Sequence, residues 1–356
     1  MTLNLLVPRS RVLLACAIAS ILSAGAQADV TIEERMSVGG AGMMKMANMS
    51  GTTLTTIAGD RARTESNLQF ESGMMRTLAR GAGQSTEIVR LDQDKIYTLD
   101  ARKKTYTETT FAAQRAQMEQ AMEQSRKAQA SQQQATSGVD ESQCEWSEPK
   151  ADVKRTGETA TIGGYQAERV TVTATQSCKD KESGQVCDFG LTLDQWLAPK
   201  FEASEETLAY QRAYAEKLGF DASASRDFAE RAESMFGSYE GIWTEVAKKM
   251  RDVKGYPVRA SFGLGVGGAQ CQSAQEKQAS GGPAEPPSIG GALGGALGGI
   301  FGRKKEPSQP AAAAPPPSMP GGLMPLMTVS TELISVNRNA VDPQTFEVPV
   351  EYKKKD

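Results

Sequence analysis

The chain of 356 residues contains no histidine. It therefore cannot use the Ser-His-Asp or Cys-His arrangements of nucleophilic catalysis, and it lacks the ligand common to most catalytic zinc sites. The sequence also shows neither the GxSxG nor the GxxxxGK[ST] pattern. These absences argue against an enzyme, and we expect no catalytic residue, no metal site and no cofactor.

The chain also lacks an apolar run of the roughly 20 residues that a membrane span needs. Its most apolar stretch, residues 12–22, follows Arg9 and Arg11 and precedes Ala26-Gln27-Ala28. This order is typical of a secretory signal peptide that is cleaved between Ala28 and Asp29. The mature chain, from residue 29, is therefore predicted to work in the periplasm without a transmembrane span.

Two alternatives for this leader stay open. Leu13-Leu14-Ala15-Cys16 is similar to a lipobox, which would make Cys16 the site of a lipid anchor. However, Arg11 lies so close to Cys16 that no apolar core precedes it. The other alternative is that the apolar segment is retained as an anchor, although it is short for a span.

An excess of one charge is absent as well. Lys and Arg number 40 against 43 Asp and Glu. Nucleic-acid-binding proteins usually carry a basic excess, so the balance argues against a nucleic-acid partner.

Cysteine is scarce, with five residues, of which Cys16 lies in the leader. The other four form an even set, which in an oxidising compartment indicates two disulfides. Cys178 and Cys187 flank a polar turn between two strand-like runs and can face each other across a hairpin, which leaves Cys144 with Cys271. The other two connectivities remain open, whereas a metal site is disfavoured because no CxxC pair is present.

Short strands dominate what is present. Residues 86–110 contain three runs rich in β-branched and aromatic residues, separated by breaks too short for crossover helices. Such breaks can join antiparallel strands only, so the sequence predicts a three-stranded meander. Residues 30–38 alternate apolar and polar side chains, as in a sheet with one wet face. Further strands are predicted over residues 43–57 and 61–70.

Apolar residues of these strands are candidates for a surface that binds an apolar ligand. Methionine suits such a surface because its side chain is flexible and polarizable. The candidate residues are Met36, Met44, Met46, Leu54, Leu68, Phe70, Val89 and Leu91. The methionines could instead simply pack in the protein core, which is an alternative interpretation. Copper(I) binding by the methionine cluster is an alternative, because thioethers are soft ligands.

Two stretches have helical character. Residues 111–135 are rich in Ala, Gln, Glu and Met without Gly or Pro, which favours a helix. Residues 203–254 contain apolar side chains at helical spacing and are interpreted as a helical insert. By contrast, residues 267–322 lose periodicity and become rich in Gly, Pro and Ala, which indicates a flexible loop.

The order of five segments resembles an uncharacterised family of secreted bacterial proteins, a domain of unknown function. The segments are EIVRLDQDKIYTLDARKKTYTETTF, TIGGYQAERVTV, LTLDQWLAP, KGYPVRASF and FEVPVEYKKK. The apparent fold of that family is similar to the lipoprotein-sorting superfamily of LolA and LolB. The resemblance implies a mainly β, α+β fold: a strongly curved antiparallel sheet, or incomplete β-barrel, with helices over its concave face. It further implies one domain, residues 29–266 plus 323–356.

In LolA and LolB the cavity takes lipoprotein acyl chains, but no ligand residue of those carriers matches here. Fold analogy alone does not establish function. The resemblance and the apolar candidates together lead us to expect a non-catalytic periplasmic protein that binds a lipid, an acyl chain or another apolar ligand. The alternative is an envelope interaction module that uses the sheet as a scaffold and the 267–322 loop to meet a protein partner.

Overall fold

A single large sheet dominates the molecule. The computed structural model describes residues 29–40, 42–79, 81, 83–132, 144–182, 184–219, 242–267, 319 and 323–355. The predicted signal peptide and nearly all of the predicted Gly/Pro-rich loop lie outside these residues. The strands are β1 Val30–Gly40, β2 Met49–Ala58, β3 Arg61–Phe70, β4 Gln84–Arg90, β5 Lys95–Asp100, β6 Thr105–Thr110, β7 Cys144–Trp146, β8 Lys150–Ile162, β9 Tyr165–Asp180, β10 Val186–Ala198, β11 Tyr256–Gly267, β12 Met324–Asn337 and β13 Lys353–Lys354.

The strand order explains how distant parts of the chain meet. It runs β13-β6-β5-β4-β3-β2-β1-β12-β11-β10-β9-β7, with β8 also paired to β9, and the curved sheet does not close on itself. All pairs are antiparallel except β13 with β6. The predicted meander corresponds to β4–β6, joined by tight turns in which Asp94 and Lys104 have positive φ. Strands on both sides of the helical insert and of the loop therefore share one sheet.

Four helices accompany the sheet in the described part of the chain. They are α1 Gly73–Leu78, α2 Phe111–Gln132, α3 Ser204–Lys217 and α4 Ile242–Met250. The insert predicted over residues 203–254 thus contains α3 and α4, while its middle lies outside the described residues. One predicted strand starts later than expected, because Gly42–Ala47 forms a 3-10 turn and β2 begins only at Met49.

Helices pack on one face of the sheet, which we call the helical face. At its β2–β5 part, Ile57, Ala62, Val89 and Ile96 follow one another across the ladders. Phe111 of α2 and Leu218, which directly follows α3, complete this cluster. At the β8–β11 part, Ile242 and Val246 of α4 pack on a second cluster that includes Val172, Ala174 and Leu191. Apolar burial of this kind contributes about 25 cal/mol per Å².

The C-terminal segment covers part of the opposite face. Phe346, in the 3-10 turn Pro343–Phe346, is fully buried against Ala58, Ile88 and Leu99. Arg90 forms ion pairs with Glu347 of this segment and with Asp92. These contacts fix the C-terminal segment to strands that lie more than 240 residues earlier in the sequence. The molecule is mainly β with α, and no helix in the described ranges is long and apolar enough to cross a membrane.

Candidate functional site

A continuous apolar row crosses five strands on the helical face. Because cross-strand partners project to the same side of a sheet, the pairings Phe70–Met49, Met49–Val38, Val38–Val329 and Val329–Phe262 place these five side chains in line. The adjacent row contains Leu68, Gly51 and Met36. We call these eight residues the apolar strip. Its seven side chains are half-buried, and only Phe262 packs against one of the helix-covered clusters.

Gly51 lets two strands approach closely in the middle of the strip. A Cβ atom at this position would lie 2.0 Å from the backbone oxygen of Asn67 and 2.9 Å from the Cα of Leu68. No side chain fits at that separation, so β2 and β3 can pair here only around a glycine. The close packing of β2 against β3 thus explains why a glycine interrupts the strand pattern of β2.

The structure brings three predicted ligand residues together and separates the others. Met36, Leu68 and Phe70 share the strip. Val89 and Leu91 are only 4% and 5% exposed, in the cluster covered by α2 and α3. Leu54 lies opposite Glu33 and Glu65 on the other face and is 37% exposed. Leu54 is three residues from Ile57, which faces the helices, so the side chain of Leu54 projects from the opposite face of the sheet. It therefore cannot belong to the same ligand surface as Met36, Leu68 and Phe70.

The two methionines of the 43–49 cluster that were predicted to contribute lie off the sheet. Met46 is exposed in the turn Gly42–Ala47, and the side chain of Met44 lies outside the described residues. Copper binding by this cluster stays a prediction. Within the described ranges no group of three or more Cys, Asp or Glu side chains could hold a metal ion.

A small cleft adjoins the β3 end of the strip. It measures about 210 Å³ and lies between the end of β3, helix α1 and the start of β4. Its lining residues are Leu68, Gln69, Phe70, Arg76, Ala79, Gly81, Gly83 and Gln84. Gly81 has φ +82°, and a nitrogen of the Arg102 guanidinium would be 2.6 Å from a Cβ there. Two guanidinium groups thus border a cleft whose lining is partly apolar and partly polar.

Two carboxylates lie on the helical face beside the strip, and the sequence predictions missed both. Glu34 is opposite Thr53 in the row next to Met36, and Glu87 is opposite Thr64 and Thr98. Neither has a hydrogen bond or ion pair with any residue that the structure describes. Burial raises the pKa of both carboxyl groups above the usual 4.5. The signal was present, since Glu34 has the same strand parity as Ile32 and Met36.

Each of these carboxylates interacts electrostatically with a tyrosine of another element. Burial, together with the nearby Glu34, raises the pKa of Tyr256 to about 12. Burial is also the main cause of the raised pKa of Tyr214 in α3, with Glu87 as a second cause. These phenols therefore stay neutral at physiological pH.

The opposite face carries paired charges. Arg169 binds Asp194 and Glu158, and Arg259 binds Glu332. Both guanidinium groups lie over the Trp196 ring, at 6.0 and 5.8 Å from its centroid. The hydrogen bonds from Arg169 raise its pKa further, so it stays charged. This network stabilises the sheet surface, and its charges are already compensated.

A second, more open cleft of about 720 Å³ lies at the far end of the sheet. Tyr165 and Phe201 line it, and the Tyr165 hydroxyl donates to Glu202 at 3.0 Å. Phe201 stacks on Tyr256 with ring centroids 3.8 Å apart. These aromatic contacts belong to a packed cluster with Val30 and Ile32, so the cleft lies against core rather than against the strip.

The positions of two cysteines are those expected for a hairpin stabilised by a disulfide. Cys178 and Cys187 are both buried, disulfide-bonded and directly opposite each other in the β9–β10 ladder. Cys271 and the side chain of Cys144 lie outside the described residues, so the pairing Cys178–Cys187 with Cys144–Cys271 stays a prediction.

Comparison with known proteins adds nothing to this picture. Neither a protein family model nor a curated protein matches the chain.

Proposed function

We propose that this protein is a non-catalytic binding protein that holds an acyl chain or another apolar ligand on the apolar strip. The continuous row from Phe70 to Phe262 supports the proposal most strongly. Adjacent strands are about 4.8 Å apart, so a row across five strands is about 20 Å long. One leaflet of a bilayer accommodates its acyl chains in about 15 Å, half of its hydrocarbon core. The strip has the length that one such chain needs.

The chemistry of the strip favours the same kind of ligand. Its side chains are apolar, and two of them are methionines, which adapt to ligands of varied shape. Each methylene group buried against such a surface contributes about 0.8 kcal/mol, and association itself costs several kcal/mol. Short apolar molecules should therefore bind weakly, whereas long chains should bind measurably.

The wider setting belongs to the same proposal. We place the mature chain in the periplasm, after removal of residues 1–28, with a fold of the LolA and LolB kind in which the helical face is the concave one. The helices at both ends of this face would then leave the strip as the accessible part between them. A protein of that kind would carry or hold a lipid or a lipoprotein acyl chain.

A direct test is to delipidate the protein and titrate it with oleyl alcohol below the concentration at which the alcohol aggregates. Saturable binding of one molecule per chain, detected by native mass spectrometry and calorimetry, is the expected result. Octanol should bind far more weakly, because fewer methylenes are buried. Absence of saturable binding by any long-chain probe would contradict the proposal.

One observation favours a second candidate, the envelope interaction module. Leu323 is buried, and its side chain lies 2.3 and 2.6 Å from the positions of Cβ atoms built on Gly190 and Gly267. Met319 packs in the same way on Gly265. The end of the 267–322 segment is thus anchored on the sheet. Deletion of residues 280–317 keeps this anchor, and under this candidate it should abolish crosslinking to a protein partner without unfolding the domain.

A further inference from the structure

The charges around the apolar strip are distributed unevenly along its length. Arg76 lines the cleft that Leu68 and Phe70 also line, at the β3 end of the strip. The guanidinium of Arg102 lies against Gly81 on the border of the same cleft. Arg76 therefore places a positive charge at one end of the apolar strip.

Arg76 is available to a ligand. Its side chain is exposed, and it forms no ion pair with any residue in the described ranges. A guanidinium presents several N–H donors in a planar fork that matches the two oxygens of a carboxylate or phosphate. In most of the other arginines described above, this capacity is already used by an acidic partner.

Negative charge lies beside the strip on the same face. Glu34 is in the row that adjoins Met36, and Glu87, on β4 next to β3, lies opposite Thr64, two rows from Leu68. Both are partly buried without a described partner, so a second anionic group placed beside them would be repelled and poorly solvated. An anionic head group would therefore avoid the rows of Glu34 and Glu87 and prefer the cleft that Arg76 lines.

From these positions we infer that the ligand is an anionic amphiphile, whose carboxylate or phosphate binds Arg76 while its chain runs from Leu68 and Phe70 toward Phe262. This inference rests on the proposed function. It adds the class of the ligand and its direction on the strip. The shared chemistry is one acidic oxygen group on one long chain, which both a free fatty acid and an acidic lysophospholipid supply.

The test compares four probes that share one oleyl or oleoyl chain: oleate, oleoyl lysophosphatidic acid, oleyl alcohol and oleylamine. Each is titrated into the delipidated protein, below its aggregation concentration, and into the variants Arg76→Ala and Arg251→Ala. Arg251 is an exposed arginine beyond the end of α4 and serves as the matched control. Unchanged far-ultraviolet dichroism and melting temperature show that each variant is folded.

We expect wild-type protein to bind the two acids about fivefold to tenfold more tightly than the alcohol, as a charge-assisted hydrogen bond at a partly exposed site would produce. Arg76→Ala should remove this preference while alcohol binding stays the same, and Arg251→Ala should change neither. The acid that binds more tightly identifies the source of the ligand.

Equal binding of acids and alcohol, or a preference that persists in Arg76→Ala, would overturn the inference while leaving the proposed function intact. Tighter binding of oleylamine than of oleate would also overturn it, since the carboxylates would then recognise a cationic head. Failure of all four probes to bind would instead contradict the proposed function itself.

Discussion

Leu68 of β3 lies directly opposite Gly51 of β2, at a point where the two strands nearly touch. The close approach brings the apolar side chains of β1 and β3 into one surface, since Gly51 places none between Met36 and Leu68. The geometry of the apolar strip thus depends on the absence of a single side chain.

Gly51→Ala is expected to destabilise the protein by about 1–3 kcal/mol, because the new Cβ would overlap the backbone oxygen of Asn67. Urea unfolding followed by circular dichroism measures the effect. Gly73→Ala is the matched control, since apart from its chain neighbours and the backbone of α1 the nearest atom to its Cβ is a nitrogen of Arg76 at 4.0 Å. Equal stability of the two variants would show that the close approach is wrong.

Phe346→Ala should cost about 3–5 kcal/mol, the usual penalty for removing a fully buried aromatic side chain. The variant should also release the C-terminal segment, which hydrogen exchange of residues 341–352 would detect. Val350→Ala in the same segment should change little, because Val350 is fully exposed, at 103% of its reference area. A small effect of Phe346→Ala would mean that the segment is not part of the core.

Glu87→Gln is expected to stabilise the protein at neutral and alkaline pH. Burial raises the folded-state pKa of Glu87 above 4.5, so the folded state binds more protons than the unfolded state as pH rises from that value. The carboxyl group is therefore least unfavourable below about pH 4.5 and becomes destabilising as pH increases through its folded pKa. Unfolding free energies at several pH values should show the variant's advantage shrinking toward acid; an advantage that grows toward acid would contradict it.

Much of the architecture follows from local patterns, whereas the composition of the site does not. The alternation of residues 30–38 predicts one buried face of β1, and the short breaks of residues 86–110 predict the meander. The same alternation also predicts that Glu34 lies on the face of β1 that carries Ile32 and Met36. Which inward residues helices cover depends on long-range packing, such as that of Phe111 and Leu218 against Val89. No local pattern reports this, so the helix-covered Val89 and the half-buried Met36 are indistinguishable in sequence.

The N-terminus of α3 also shows that tertiary packing can override a local sequence pattern. Ser204 followed by two acidic residues is typical of a helix cap. In the structure Ser204 is the first helical residue, and the cap position is Ala203, which has no side-chain oxygen. Ala203 is fully buried in a core cluster with Phe201 and Val258, and this packing determines where the helix begins.

The disulfide prediction can be checked by mapping. Trypsin cleaves after Lys179 and Lys181, between Cys178 and Cys187. If these two cysteines are bonded to each other, a digest under non-reducing conditions should contain their two peptides joined, and reduction should separate them. A peptide with Cys178 joined to one with Cys144 or Cys271 would establish another connectivity.

The face on which the ligand binds is tested most directly by one pair of matched variants. Leu68→Gln and Leu54→Gln make the same chemical change on opposite faces of the same two paired strands. Affinity for oleyl alcohol should fall at least about tenfold in Leu68→Gln, through loss of apolar contact and burial of an amide, and stay at the wild-type value in Leu54→Gln. Equal affinities of the two variants, or a loss confined to Leu54→Gln, would contradict binding on the apolar strip.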